Sequence, residues 1–166
     1  MSSSTEGPNP NIVPEADSGN RMVLYLPSDL NYLSVVDRMV EGIAEMLELE
    51  EEDNIAVATS VIEACTNAIQ HGHRQEAAKY FFCSFYLGEN ELQVTVKDWG
   101  PGFNLNTVLG GDPTHGEGLL KCRGRGIFIM RSMMDTVEFE MREPIGTTVK
   151  LTKQLARRGT SSPVSG

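Results

Sequence analysis

The amino-acid sequence predicts an α+β fold, a two-layer sandwich in which a mixed, mostly antiparallel sheet packs against about three helices. Two kinds of periodicity, and their order along the chain, carry this expectation. Leu92, Val94 and Val96 alternate with Gln93, Thr95 and Lys97, and Val137, Phe139 and Met141 alternate with Glu138, Glu140 and Arg142; this is the period of a half-buried strand. Apolar residues recur at helical spacing from Leu30 to Leu47 and again from Ile55 onward. The order reads strand, two helices, two strands, a glycine-rich loop, a helix and two final strands.

The chain has 166 residues, enough for one domain with a core of its own. Residues 1–20 are rich in Ser, Pro, Asn and Gly and lack apolar periodicity, so they read as a disordered arm, as does the tail 156–166. Residues 21–155 then form one continuous domain, and no internal repeat interrupts it. Met22 to Leu26 is a short strand ended by Pro27, with Ser28 the expected N-cap of the first helix. Leu30, Leu33, Val36, Val40, Ile43 and Leu47 define the buried stripe of that helix. The acidic run Glu48 to Asp53 must contain a break, although no Gly or Pro marks it, and it leads into the first turn of the next helix, where acidic residues complement the dipole.

The second helix, centred on Ile55 to His71, is the most informative stretch. At about 100° per residue, Ile55, Ala58, Ile62, Cys65 and Ile69 form an apolar stripe that Val57, Val61, Ala64 and Ala68 widen past half the circumference. The remaining wedge holds Thr59, Ser60, Glu63, Asn67 and Gln70, and Glu63 is the only charge between Ile55 and Gln70. A solvated face carries several charges; one carboxylate and one carboxamide four residues apart look like the wall of a site. Alternatively, Glu63 and Asn67 merely satisfy each other in a core. His71 and His73 punctuate the end of this helix, with no third ligand at a spacing that suits a metal.

Tyr80 to Leu87 and Glu91 to Asp98 make a hairpin around Gly88-Glu89-Asn90. Asp98 shares the parity of Leu92, Val94 and Val96, so its carboxylate is directed toward the buried face. It then either caps the turn Trp99-Gly100-Pro101-Gly102 or accepts hydrogen bonds from a ligand at a pocket floor. Residues 103–123, with Gly110, Gly111, Gly116 and Gly118, read as a long lid-like loop. Gly124-Arg125-Gly126 leads into the apolar helix IFIMRSMM, and glycines at a helix start let an anion approach free backbone N–H groups. Two strands follow, joined by Pro144-Ile145-Gly146, with Thr147 on the same face as Val149 and Leu151.

Composition excludes several function classes. Fourteen Lys and Arg against 23 Asp and Glu give a net charge of −9, which argues against a nucleic-acid surface. No apolar run approaches the ~20 residues of a membrane span, and the N-terminal stretch has no signal-peptide pattern, so a cytoplasmic location is expected. Cys65, Cys83 and Cys122 are odd in number and widely spaced, which suits a reducing compartment.

Four separated pieces now agree: Glu63-Ala64-Cys65-Thr66-Asn67-Ala68, Asp98-Trp99-Gly100-Pro101-Gly102, Gly124-Arg125-Gly126-Ile127 and Gly146-Thr147-Thr148-Val149. In this order and spacing they resemble the Bergerat-fold, histidine kinase-like ATPases, and the stretch EACTNAIQHGH is similar to the anti-sigma-factor serine kinases. The resemblance covers roughly 22–153, and no GxxxxGK[ST] motif competes with it. It implies ATP and Mg²⁺ as ligands, with Asn67 on the metal and Asp98 accepting from the adenine amino group with the help of Thr147. It also implies that Gly100 and Gly102 pass close to the nucleotide and that Gly124, Arg125 and Gly126 contact the phosphates. Glu63 would take the place of the general base. Where such kinases carry an arginine two residues before the first lid-end glycine this chain has Cys122, so Arg123 or Arg125 must substitute.

Only about twenty unpatterned residues precede the first strand, so no phospho-acceptor helix is expected upstream and the acceptor should lie on another protein. The resemblance thus implies a partner-switching regulator. It would bind a sigma factor, phosphorylate a serine of an anti-anti-sigma protein of STAS type, act as a homodimer, and engage neither nucleic acid nor membrane. The alternative is a nucleotide-binding interaction module that sequesters a partner with little or no kinase activity.

Overall fold

The alternating stretches of the sequence become a single five-stranded sheet in the order β1-β2-β3-β5-β4. Its strands are β1 (Arg21–Pro27), β2 (Tyr80–Leu87), β3 (Glu91–Lys97), β4 (Thr136–Arg142) and β5 (Gly146–Gln154). A computed structural model describes residues 20–72, 79–103, 108, 118–142 and 146–155. All four strand pairings are antiparallel, so the sheet is more uniform than the mixed one expected. Three α-helices among the described residues, α1 (Leu33–Leu47), α2 (Glu51–Asn67) and α3 (Gly118–Met133), form the second layer. No helix among them is long and apolar enough to cross a membrane.

Register explains which side chains face the helices. Pairing of Cys83 with Val96, and of Val96 with Val149, aligns these residues in one inward row. Phe85, Val94, Leu151 and Val137 form the next row by the same register. Phe81, Phe85, Leu92 and Leu151 are fully buried there, each contributing roughly 1.5–3 kcal/mol of transfer free energy. Val36, Val40 and Ile43 of α1 close the core above them, the stripe that helical spacing predicts.

The break inside the acidic run falls at Glu48, whose φ of 51° puts a non-glycine residue in the left-handed region. Its N–H turns back to the carbonyls of Ala44 and Glu45 and so ends α1; a residue with a Cβ takes this conformation at a cost of about 1 kcal/mol. With Glu51, Glu52 and Asp53 in its first turn, α2 begins earlier than the apolar pattern alone shows. Lys153 reaches from β5 to Asp53 at 3.0 Å and to the carbonyl of Met133 at 3.2 Å, joining the start of α2 to the end of α3.

Three expectations change. Asp29, not Ser28, caps the first turn by accepting from the N–H of Asn31 at 2.9 Å, while Ser28 is buried and its N–H donates to the carbonyl of Lys79. The buried face of α2 is Val57, Ser60, Val61, Ala64 and Cys65, and Ile55 is 54% exposed. Gly124 and Gly126 lie inside α3, which already starts at Gly118, so they do not form a helix N-terminus and the helix enters the stretch read as lid. The two termini, His73, Gly110, Gly111, Gly116 and the turn at Pro144-Ile145 fall outside the described residues.

Candidate functional site

A narrow cleft opens between the sheet and the helix layer. Its floor is sheet: Val96 and Asp98 at the end of β3, Thr147 and Val149 at the start of β5, and Phe139 of β4. Its helical wall is Ala64, Asn67 and Ala68 at the end of α2, with Arg123 and Ile127 of α3 opposite. Phe103 covers one side.

Strand parity carries Asp98 inward, where only 6% of it stays exposed. The chain turns at once: the N–H of Gly100 donates to Asp98 Oδ1 at 2.8 Å, and the backbone N–H of Asp98 donates to the carbonyl of Thr147 at 3.0 Å. Burial raises the Asp98 carboxyl pKa above the usual carboxylate value, while the Gly100 and Thr147 amides and the charge of Arg123 draw it back. The carboxylate therefore caps its turn through one oxygen and still presents a buried acceptor to the cleft. Of the two readings of Asp98 from the sequence, the turn cap is present, and the side chain also lines the cleft. Gly102 follows at φ +71°, a left-handed conformation that glycine takes freely.

Thr147 is buried beside Asp98 and lines the cleft, and Gly146 before it explains how the two strands come so close. At Gly146 φ is +101°, and a Cβ there would run into the carbonyl oxygen of Asp98 and stand 2.7 Å from Trp99 Cα. Only a glycine lets β5 pass the Asp98 turn at this distance.

Helix packing builds the other end. A Cβ on Gly126 would lie 2.7 Å from Glu63 Oε2 and 3.3 Å from Asn67 Nδ2, so the bare backbone of α3 rests on the two polar side chains of α2. Four-residue spacing makes those side chains neighbours, as the sequence indicates. Asn67 lines the cleft, and Glu63 stands one turn behind it on the α3 side. Immediately past Asn67 the helix widens into a π turn, Ala68–Gly72, a local distortion common beside functional sites. His71 in that turn has its pKa pushed down to about 4 by burial and by the charge of Arg123, which keeps the imidazole neutral.

The remaining glycine and arginine positions separate. Gly124 packs near the carbonyl of Val108, 3.2 Å from where its Cβ would be. Arg125 is exposed and is not among the cleft-lining residues, whereas Arg123 lines the cleft and is only 9% exposed. Phe103 and Phe139 were not singled out by the sequence reading. Phe139 carries a signal, its inward parity on β4; Phe103, at the start of a glycine-rich stretch, carries none.

An antiparallel sheet under three helices, with a cleft between the layers lined by Asp98 and Thr147 from the sheet and by Asn67 from α2, is the arrangement of a histidine kinase-like ATPase domain. Residues 26–153 match that family, and the chain belongs to it. Among its relatives are proteins named serine-protein kinase RsbW. That of Bacillus velezensis is 31% identical over 136 residues, covering 80% of this chain and 84% of the relative. That of Bacillus licheniformis is 29% identical over 135 residues, covering 79% and 83%. The crystal structure of the RsbU and RsbW domains of a Mycobacterium tuberculosis protein has the same fold, with a TM-score of 0.60 at 16% identity over 82% of this chain and 33% of the longer one.

Proposed function

We propose that this protein is an ATP-dependent protein-serine kinase that acts as an anti-sigma factor in a partner-switching system, phosphorylating a serine of an anti-anti-sigma antagonist. The observation that carries the reading is that Asn67, held with Glu63 against the bare backbone of Gly126, lines the same cleft as Asp98 and Thr147. Kinship with proteins named serine-protein kinase supports the same direction.

The residues present fit ATP and Mg²⁺. Asp98 is a buried acceptor for the exocyclic amino group of adenine, and Thr147, also buried, lines the same cleft. Gly100 and Gly102 keep side chains away from the path of the nucleotide. The Asn67 carboxamide supplies a neutral oxygen of the kind Mg²⁺ accepts among phosphate oxygens and waters. When bound, Mg²⁺ neutralises charge on the phosphates and orients them. Phosphoryl transfer then needs chiefly a positioned nucleophile. Glu63, fixed beside Asn67 by the Gly126 backbone, orients the serine hydroxyl of the partner and takes its proton late. Gly124 and Gly126 lie inside α3, where the bare backbone of Gly126 rests on Glu63 and Asn67 and so sets their position.

The test is transfer of label from ATP, with Mg²⁺, to a candidate STAS-type antagonist. Glu63→Ala should lower transfer by about 10²–10⁴-fold while ATP still binds. Unchanged transfer in that variant would remove Glu63 from the role of base, and binding without transfer by the wild type would favour the sequestering module instead.

A further inference from the structure

The side chain at the centre of the cleft is Arg123. Its guanidinium carbon lies 4.1 Å above the centre of the Phe103 ring, and Phe103 is itself held edge-on by Phe139, with ring centres 6.1 Å apart. The group is only 9% exposed. Its Nε–H, fully buried, has no hydrogen-bond partner among the described residues. Attraction to the Asp98 carboxylate favours its charged form against the cost of burial. A planar group rich in N–H donors thus rests on an aromatic face near the carboxylate that would receive the adenine amino group. Arginine is almost never buried without full pairing, and an unsatisfied buried donor costs about 1–3 kcal/mol. Among the described contacts, the guanidinium is held by one ring face and by the charge of Asp98.

We propose that Arg123 is a latch: in the nucleotide-free protein its guanidinium occupies the base end of the cleft on Phe103 beside Asp98, and an adenine nucleotide must displace it to bind. The proposal rests on the cleft being a nucleotide site, as argued above. Latch and base exclude each other because they need the same space in the cleft that Arg123, Phe103 and Asp98 line. The unlatched fraction then scales the apparent affinity for the base. A desolvated cation–π contact has the strength of about a fivefold to thirtyfold population bias. The unpaired Nε keeps the bias within what a ligand can overcome.

The test compares adenosine and ADP binding by calorimetry in wild type and Arg123→Ala. Adenosine has no phosphates, so it reports the base end alone. The latch predicts that Arg123→Ala binds adenosine about fivefold to thirtyfold more tightly. Adenosine affinity unchanged, weakened or undetected in the variant while ADP binds overturns the latch and leaves the nucleotide site standing. Failure of both ligands in both proteins overturns the nucleotide site itself. A second measurement needs no variant. In the wild type the Arg123 Nε–H proton resonance should be shifted upfield by the Phe103 ring and should move toward its ordinary position on saturation with ADP. An unshifted resonance in the free protein overturns the latch.

Discussion

On the sheet side of the cleft, the proposed base end, polar groups are set by the strands and the turn beyond them: the Asp98 N–H donates to the Thr147 carbonyl, and the Gly100 N–H donates to the Asp98 carboxylate. On the helix side, the proposed phosphate end, Glu63 and Asn67 ride on α2, and the bare backbone of Gly126 in α3 rests against them. The first end is fixed by sheet register, which shifts only in whole residues and inverts every side chain when it does. The second is fixed by the approach of two helices, which slide and tilt continuously by fractions of an ångström. A base pocket needs rigid complementarity, and a transfer site must admit a partner's serine and then release it. The division of labour between sheet and helices fits that demand.

Substitutions at the two ends should therefore fail differently. Gly146→Ala should be the most damaging. Its Cβ would meet main chain that cannot yield, at a φ of +101°, and the loss should be about 2–4 kcal/mol, combining left-handed strain with overpacking. Urea unfolding measures this directly. A stability loss below about 0.5 kcal/mol would mean that the strands separate easily and that the base end is not rigid.

Gly126→Ala should do the reverse. The obstacle is the tip of the Glu63 side chain, 2.7 Å from the new Cβ, which can rotate away, and alanine gains up to about 1 kcal/mol of helix propensity over glycine. Stability should stay within about 1 kcal/mol of the wild type. Transfer to the acceptor protein should drop about tenfold or more because the base is displaced. Equal transfer would show that Glu63 has no required position.

Thr147→Val keeps the shape of a buried residue and removes its hydroxyl. It should weaken ATP by about fivefold, the worth of one hydrogen bond, without altering the fold. Calorimetry and unfolding measured together separate the two effects.

The smallest effect belongs to His71, beside the phosphate end. The folded protein keeps this imidazole neutral down to about pH 4, while the ordinary value is 6.5. Between those limits the unfolded chain binds the extra proton, so stability falls as pH drops from 6.5 to 4. Asp98 acts in the opposite sense: its raised pKa makes acid favour the folded state. His71→Gln should flatten the decline between pH 6.5 and 4, and an identical decline in the variant would assign it elsewhere.

The same contrast decides what the sequence showed. The base end was legible because strand parity is binary: once Leu92, Val94 and Val96 face inward, Asp98 must follow, and Thr147 follows Val149 and Leu151. The facing pair Glu63 and Asn67 was legible from its spacing alone. The buried face of α2 was not. Apolar residues cover more than half its circumference, so periodicity left open which half the neighbouring helices would cover, and Ser60 is buried while Ile55 faces out. The placement of Phe103 and Arg123 was not legible either, because it depends on where α3 begins, and Gly118 carries no capping signal. Glu48 ends α1 without the glycine that usually marks such a turn.

Equilibrium binding of ATP with Mg²⁺ to Asp98→Asn, set beside Glu63→Gln, tests most directly whether this cleft holds adenine at its sheet-built end. Asparagine keeps the oxygen that accepts from Gly100 N–H, so the turn survives, but it places a donor where the adenine amino group would need an acceptor. The account predicts that Asp98→Asn lowers ATP affinity by about tenfold or more, whereas Glu63→Gln binds ATP as the wild type does. ATP affinity unchanged in Asp98→Asn would contradict it.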